Sequence, residues 1–301
     1  MRSFALCIAY ILLINLAYCQ EVILDNCKEC NYINDYYPLI YKAQLKYLQE
    51  DLDSAFQYIS KAKEKCELLN TPDILERVMY AEILIDRKNY NDALESLEEL
   101  IRVGFPFEFL EYNEALKILK QNRKWEDLRK LSLQINAREN NFFNWKLRDE
   151  ILEMVKVDQL IRRSNMDYEE RQKIDSVHQK RIKEIFETYG YPNEKLIGFR
   201  KPNERVDITI MLMHFNDLKY FKPKLLGFIK KGDCNPYTMA SIVDSNDRQN
   251  KLYTYGIYSS VDSTQIIDFP NLNSRRKALG LRTLENHVKT MALIEKKYKS
   301  K

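Results

Sequence analysis

From Asp35 onward, apolar residues recur every three to four positions, the period of a helix that buries one stripe and exposes the other. Small residues repeat at a fixed distance. Ala43 and Ala55 are followed 38 residues later by Ala81 and Ala93, with Leu116 and Leu128 a further 35 along. This predicts three helix-turn-helix units over 35–143. In the middle unit, Arg87-Lys88-Asn89-Tyr90-Asn91-Asp92-Ala93-Leu94 supplies a turn, an aromatic and a small residue that lets two helices approach closely. Trp125 stands 35 residues after Tyr90. The run Asn140-Asn141-Phe142-Phe143-Asn144 breaks the period, so a second helical domain is expected over 144–301.

In that second part, Leu147, Ile151, Met154 and Val155 form one apolar face, with Asp158 on it and Arg162 one turn further, placed to pair with the aspartate. Asp167 caps the next helix, whose stripe is Ile174, His178, Ile182, Ile185 and Tyr189. Tyr189-Gly190-Tyr191-Pro192 stops it. The segment Ile208 to Asp217 (ITIMLMHFND) reads as a helix apolar on every side, which would bury His214, keep it neutral near pH 7 and require a hydrogen-bond partner. Asp217 and Asn235-Pro236 are the next helix starts, and the second helix places Asp244 on the face of Tyr237, Ala240 and Ser241. Leu252 to Ser260 and Thr264 to Phe269 read as two short strands of a small β-hairpin. Helix resumes at Ser274 and breaks at Gly280. The fold class is therefore mostly α: helical hairpins followed by a helical domain with a small hairpin.

Composition narrows the function classes. The 301 residues include 45% hydrophobic and 31% charged positions with only 7 Gly and 8 Pro, which suits folded, helix-rich structure. The 48 basic and 44 acidic residues are interspersed, so there is no basic stripe for nucleic acid. At the N-terminus, Arg2 and the apolar run Phe4 to Ala17 form a signal-peptide pattern over 1–19, with cleavage before Gln20. Leu16-Ala17-Tyr18-Cys19 also resembles a lipobox, in which case Cys19 would be lipidated and the protein tied to an outer membrane; Tyr18 is bulky for that motif. Either route exports the chain to the periplasm or beyond. In the Cys-containing tail, 20–34, an oxidising compartment favours a disulfide from Cys27 or Cys30 to Cys66 over a zinc or redox site.

Two resemblances follow from these residues. The small positions 43, 55, 81 and 93 with aromatics 90 and 125 resemble the tetratricopeptide repeat, although the first unit lacks its Gly and the third has lost both small residues. The resemblance implies a concave face for a protein or peptide partner; the alternative is packing against the second domain. Over 145–290, Asp158-Gln159-x-x-Arg162, Ile174-Asp175-x-x-His178, Tyr189-Gly190-Tyr191-Pro192, His214, Asp244, Tyr255-Gly256 and Arg275-Arg276-x-x-Leu279-Gly280-Leu281 resemble a bacterial domain of unknown function. That family implies no activity. Met213-His214-Phe215-Asn216 stands where it tends to have Gln-His-Ala-Asp, so several polar groups are replaced.

The candidate chemistry is a pocket in which His214, His178, Asp158 and Asp244 supply acid-base groups, while Arg162, Arg275, Arg276 and Tyr255 bind a ligand. Such a set suits hydrolysis; the alternative is a buried network that fixes helix packing, with Asp158 paired to Arg162 and Asp244 to an arginine of the C-terminal helix. No metal spacing and no cofactor motif are present. The leading expectation is an exported binding or scaffold protein, and a hydrolase is the alternative.

Overall fold

The computed structural model describes residues 30–71, 75–201, 204–258 and 262–299. The expected signal peptide, Cys19 and Cys27 lie outside them. The chain divides at Cys30, and the elements below belong to the unit Asn31–Lys301. A π-turn at Tyr32–Tyr36 leads into α1 (Tyr37–Leu48), which forms a hairpin with α2 (Leu52–Lys63). The next hairpin is α3 (Glu76–Asp86) with α4 (Tyr90–Arg102); after α5 (Phe107–Glu111) and a 3₁₀ segment Glu114–Gln121, α6 (Arg123–Asn136) packs on α4. Ala43, Ala55, Ala81 and Ala93 are all fully buried, so each repeated small residue does sit between helices. The aromatics differ: Trp125 is buried against Phe107, whereas Tyr90 is exposed.

Asparagine and aspartate set where the helices begin. Asp51, Asn89 and Asn122 cap α2, α4 and α6 by accepting backbone N–H groups of the first turn. Asn144 does the same for α7 (Trp145–Arg163), Asp167 for α8 (Tyr168–Tyr189) and Asn193 for α9 (Glu194–Ile197). After the single-turn α10 (Thr209–Leu212), Asp217 caps α11 (Leu218–Lys231), and Asn235 caps α12 (Pro236–Asp247), which has Pro at its first position. Each such cap contributes about 1 kcal/mol. The chain ends in α13 (Leu272–Leu279) and α14 (Leu284–Lys299), and α14 returns to pack on α1. Arg282 there donates to Gln44 at 2.8 Å, and Tyr41 donates to the Gly280 carbonyl at 3.0 Å.

Two expectations are corrected. There is no β-hairpin among the described residues: Tyr253 and Ile266 meet in one isolated parallel bridge. The backbone groups that would have zipped two strands are held by side chains instead. Asp244 accepts from the N–H of Tyr255 (2.8 Å) and of Ile257 (2.9 Å), and Arg276 donates to the Tyr255 carbonyl. Arg275 donates to the carbonyls of Thr254, Ile267 and Asp268.

The segment 208–217 is likewise not a ten-residue helix, and His214 is exposed rather than buried. Ile208, Met211, Leu212 and Phe215 are the buried positions, and their spacing defines one inward face that leaves His214 outside it.

Among the described residues no helix is long and apolar enough to cross a membrane. Cys30 and Cys66 are joined by a disulfide, while Cys234 is free and buried. Closing a loop of this length stabilises by roughly 3–4 kcal/mol through the entropy removed from the unfolded chain. Cys66→Ser should therefore lower the urea-unfolding free energy by about that amount, and reductant should lower the wild type to the same value. Equal stability with and without reductant would contradict it.

Candidate functional site

The sequence candidates separate into two groups in space. Asp158 and Asp175, on α7 and α8, are both buried, and both accept from the same Arg162 Nη2, at 3.2 Å for Asp158. The second Asp158 oxygen accepts from Gln159 at 2.8 Å. His178 is buried beside them, and its Nδ1 has no hydrogen-bond partner. The exposed His214 faces the same charges. Asp158, Arg162 and Asp175 thus join α7 to α8, with Asp158 paired to Arg162 as the spacing of four implied, and both histidines feel their charges.

Asp244, Tyr255, Arg275 and Arg276 form a different assembly. Asp244 and Arg276 are fully buried and grip the 254–257 backbone from its N–H and C=O sides. The Arg276 Nε donates to the Arg282 carbonyl at 2.8 Å. Among the described residues no ion pair joins Asp244 to an arginine, and both arginines hold loop carbonyls, Arg276 with its buried Nη2 unpartnered. Burial raises the Asp244 carboxyl above its ordinary range, against the pull of the two amides it accepts from.

Desolvation is the first cause that lowers both imidazoles, through burial at His178 and only partial loss of water at the exposed His214. For His178 the carboxylates of Asp158 and Asp175 pull the other way, and Arg162 adds to the lowering. For His214 Arg162 is the second cause, opposed by the same two aspartates. Both rings are neutral at pH 7, and a neutral imidazole beside carboxylates is competent as a general base. Cys234 is no nucleophile, because burial pushes its thiol up to about 12.

A larger feature gave no periodic signal. The C-terminal end of α1, one face of α3, the 105–113 segment and residues of 191–201 and 204–208 line a cavity of about 830 Å³ that is open to solvent. Ligand pockets usually fall at roughly 300–1,000 Å³. Val78, Met79, Phe105, Phe109 and Phe199 give it apolar walls. The wall at 197–201 is held by Arg148 of α7, a buried side chain that donates to the carbonyls of Ile197 (2.6 Å), Gly198 and Phe199 (both 3.1 Å) and pairs with Glu204. Gly104 and Gly198 have positive φ, and a Cβ on either would press on Phe143 at 3.1 or 3.0 Å, so both positions require glycine for this wall to close.

Polar and charged groups share the cavity wall with these apolar ones. Glu82 accepts from the Tyr47 phenol and from Asn113 (2.7 Å); Glu194 accepts from Asn70 at 2.6 Å. Desolvation pushes the Glu194 carboxyl up to about 7. Just behind the wall, the fully buried Glu76 is pushed up to about 8 by the same cause and accepts from the Thr71 N–H. The cavity and the polar cluster adjoin: Arg205 lines the first and donates to Gln159 of the second at 3.4 Å. Among the described residues no group of three or more His, Cys, Asp or Glu side chains is arranged to hold a metal ion.

With this geometry established, comparison with protein-family models, with curated proteins and with solved structures found no match.

The imidazoles provide a pH test. A histidine whose folded-state pKa is depressed takes its proton later than in the unfolded chain, so its contribution to stability is complete above about 6.5 and is lost as pH falls below that value. NMR titration should place both His178 and His214 below the ordinary histidine midpoint, and His178→Gln should reduce the fall in stability on acidification. A His178 midpoint above the ordinary value would mean that its carboxylate neighbours outweigh burial.

Proposed function

We propose that this is an exported helical binding protein whose cavity takes the apolar part of a ligand or peptide partner. The observation that supports this is where the cavity lies: α1 and α3, one from each hairpin, form one wall, and residues of 191–201 and 204–208 form the other. The tetratricopeptide-like reading of 35–143 and the concave partner face it implies agree with that position. The disulfide between Cys30 and Cys66 suits an oxidising compartment, in keeping with export.

An apolar fluorescent probe should bind with one-to-one stoichiometry. Val78→Trp, which fills the cavity from α3, should weaken that binding at least about tenfold, equivalent to 1.4 kcal/mol, without lowering the melting temperature. Unchanged binding in a folded Val78→Trp variant would remove the cavity from consideration.

Hydrolysis at the Asp158, Arg162, Asp175, His178 and His214 cluster is a second reading, favoured by the unpartnered Nδ1 of the buried His178 beside two carboxylates. Turnover of chromogenic phosphate, ester or glycoside substrates that is abolished in His214→Ala, with stability retained, would support it. No turnover by the wild type across that panel would set it aside.

A further inference from the structure

The charges around the cavity are unevenly satisfied. Lys201 lies over the Trp145 ring at 5.8 Å, Arg205 reaches Gln159, and Lys297 sits 4.0 Å over the Tyr47 ring while donating to its hydroxyl at 2.9 Å. These three lining cations are already engaged, and the fourth, Arg200, is exposed. Of the carboxylates, Glu204 is taken by Arg148, Glu82 accepts from two donors, Tyr47 and Asn113, and Asp207 is exposed and accepts from the Thr209 N–H. Glu194 is different. It accepts from the Asn70 amide, and among the described residues no cation forms an ion pair with it.

The nearby cations are committed elsewhere: Arg77 to Glu67 and Glu99, and Lys195 to Glu67. The other end of the Asn70 amide, Oδ1, is buried and accepts nothing, so this corner of the wall holds more acceptors than donors. A desolvated carboxylate with a single neutral donor, set in an apolar cavity, lacks one positive charge.

We propose that the ligand of this cavity carries a primary ammonium that pairs with Glu194, on an apolar body that lies against Val78, Phe105 and Phe109. The inference rests on the binding reading above and adds the ligand's chemical class. Two sources share that chemistry, a free amine and the N-terminus of an apolar peptide. An apolar body alone would gain only from the walls, and an anionic head would meet Glu194 with like charge. The titratable groups that face Glu194 are Glu67, Glu76, Arg77 and Lys195. Burial holds its carboxyl up near neutrality, so an entering ammonium displaces a proton there.

Calorimetry on the full protein with phenylbutylamine, phenylbutanol and phenylbutyrate tests this directly. At about pH 8 the amine should bind at least about tenfold tighter than the alcohol, the ratio expected of a charge-assisted hydrogen bond, and the carboxylate should bind most weakly. The preference should shrink at about pH 5.5, below the ordinary histidine range, and should vanish in Glu194→Gln, whose folding is checked by its melting temperature. The wild-type ratios decide the matter even if that variant does not fold.

A hexapeptide of apolar residues with a free N-terminus, set against its N-acetylated form, separates the two sources. Discrimination between the two forms points to a peptide terminus, and phenylbutylamine binding without it points to a free amine. Equal binding of amine and alcohol, or tighter binding of phenylbutyrate, overturns the ammonium assignment while leaving the binding reading intact. No binding by any of these compounds or by the apolar probe overturns both.

Discussion

Buried guanidinium groups holding unpaired carbonyls are the constraint on which this structure depends. Helices bond their own backbones, but the described residues of 197–201, 254–258 and 262–268 lie outside any α-helix or strand ladder apart from the end of α9, and each buried carbonyl there needs a donor. Arg148, Arg275 and Arg276 supply several donors each, from helices on the far side of the segment they hold. Arg148 and Arg276 are almost wholly excluded from water. A planar fork with five donors can satisfy two or three carbonyls in a fixed geometry, which a lysine cannot. Irregular chain thereby becomes rigid enough to wall a cavity.

The helical hairpins supply the other wall by a simpler means. Alanines at four equivalent positions let the helix axes approach, and buried Ile83, Leu97, Leu100 and Ile101 fill the spaces between. Each such side chain contributes about 1.5–3 kcal/mol on burial. The return of α14 to α1 brings Lys297 against Tyr47 at the edge of the cavity. First and last helices of the unit therefore border the same space, and the site depends on closure of the whole unit.

The polar cluster and the cavity illustrate two uses of buried charge. Asp158 and Asp175 share one guanidinium, an arrangement that fixes the crossing of α7 and α8 whether or not the histidines beside it do chemistry. Glu194 has no such partner, and its proton affinity rises accordingly. A fully paired group is weak evidence for a ligand, whereas a desolvated and underpaired one points to something that the protein alone does not supply.

Local chemistry was legible in the chain itself. Asp167, Asp217 and Asn235 announce their helices because a cap acts within four residues. The buried alanines and the Asp158 to Arg162 pair follow from similarly short-range rules, and of the two cysteines proposed for Cys66 the structure selected Cys30. Tertiary structure decided everything that needed distant partners. The alternation in 252–269 looked like strands until Asp244 and Arg276 claimed its backbone groups from helices on either side. His214 looked buried until the chain left the helix after one turn. The cavity, assembled from segments more than 200 residues apart in the chain, leaves no period in any one of them, so Glu194 could be read in the sequence only as a first-turn helix acid.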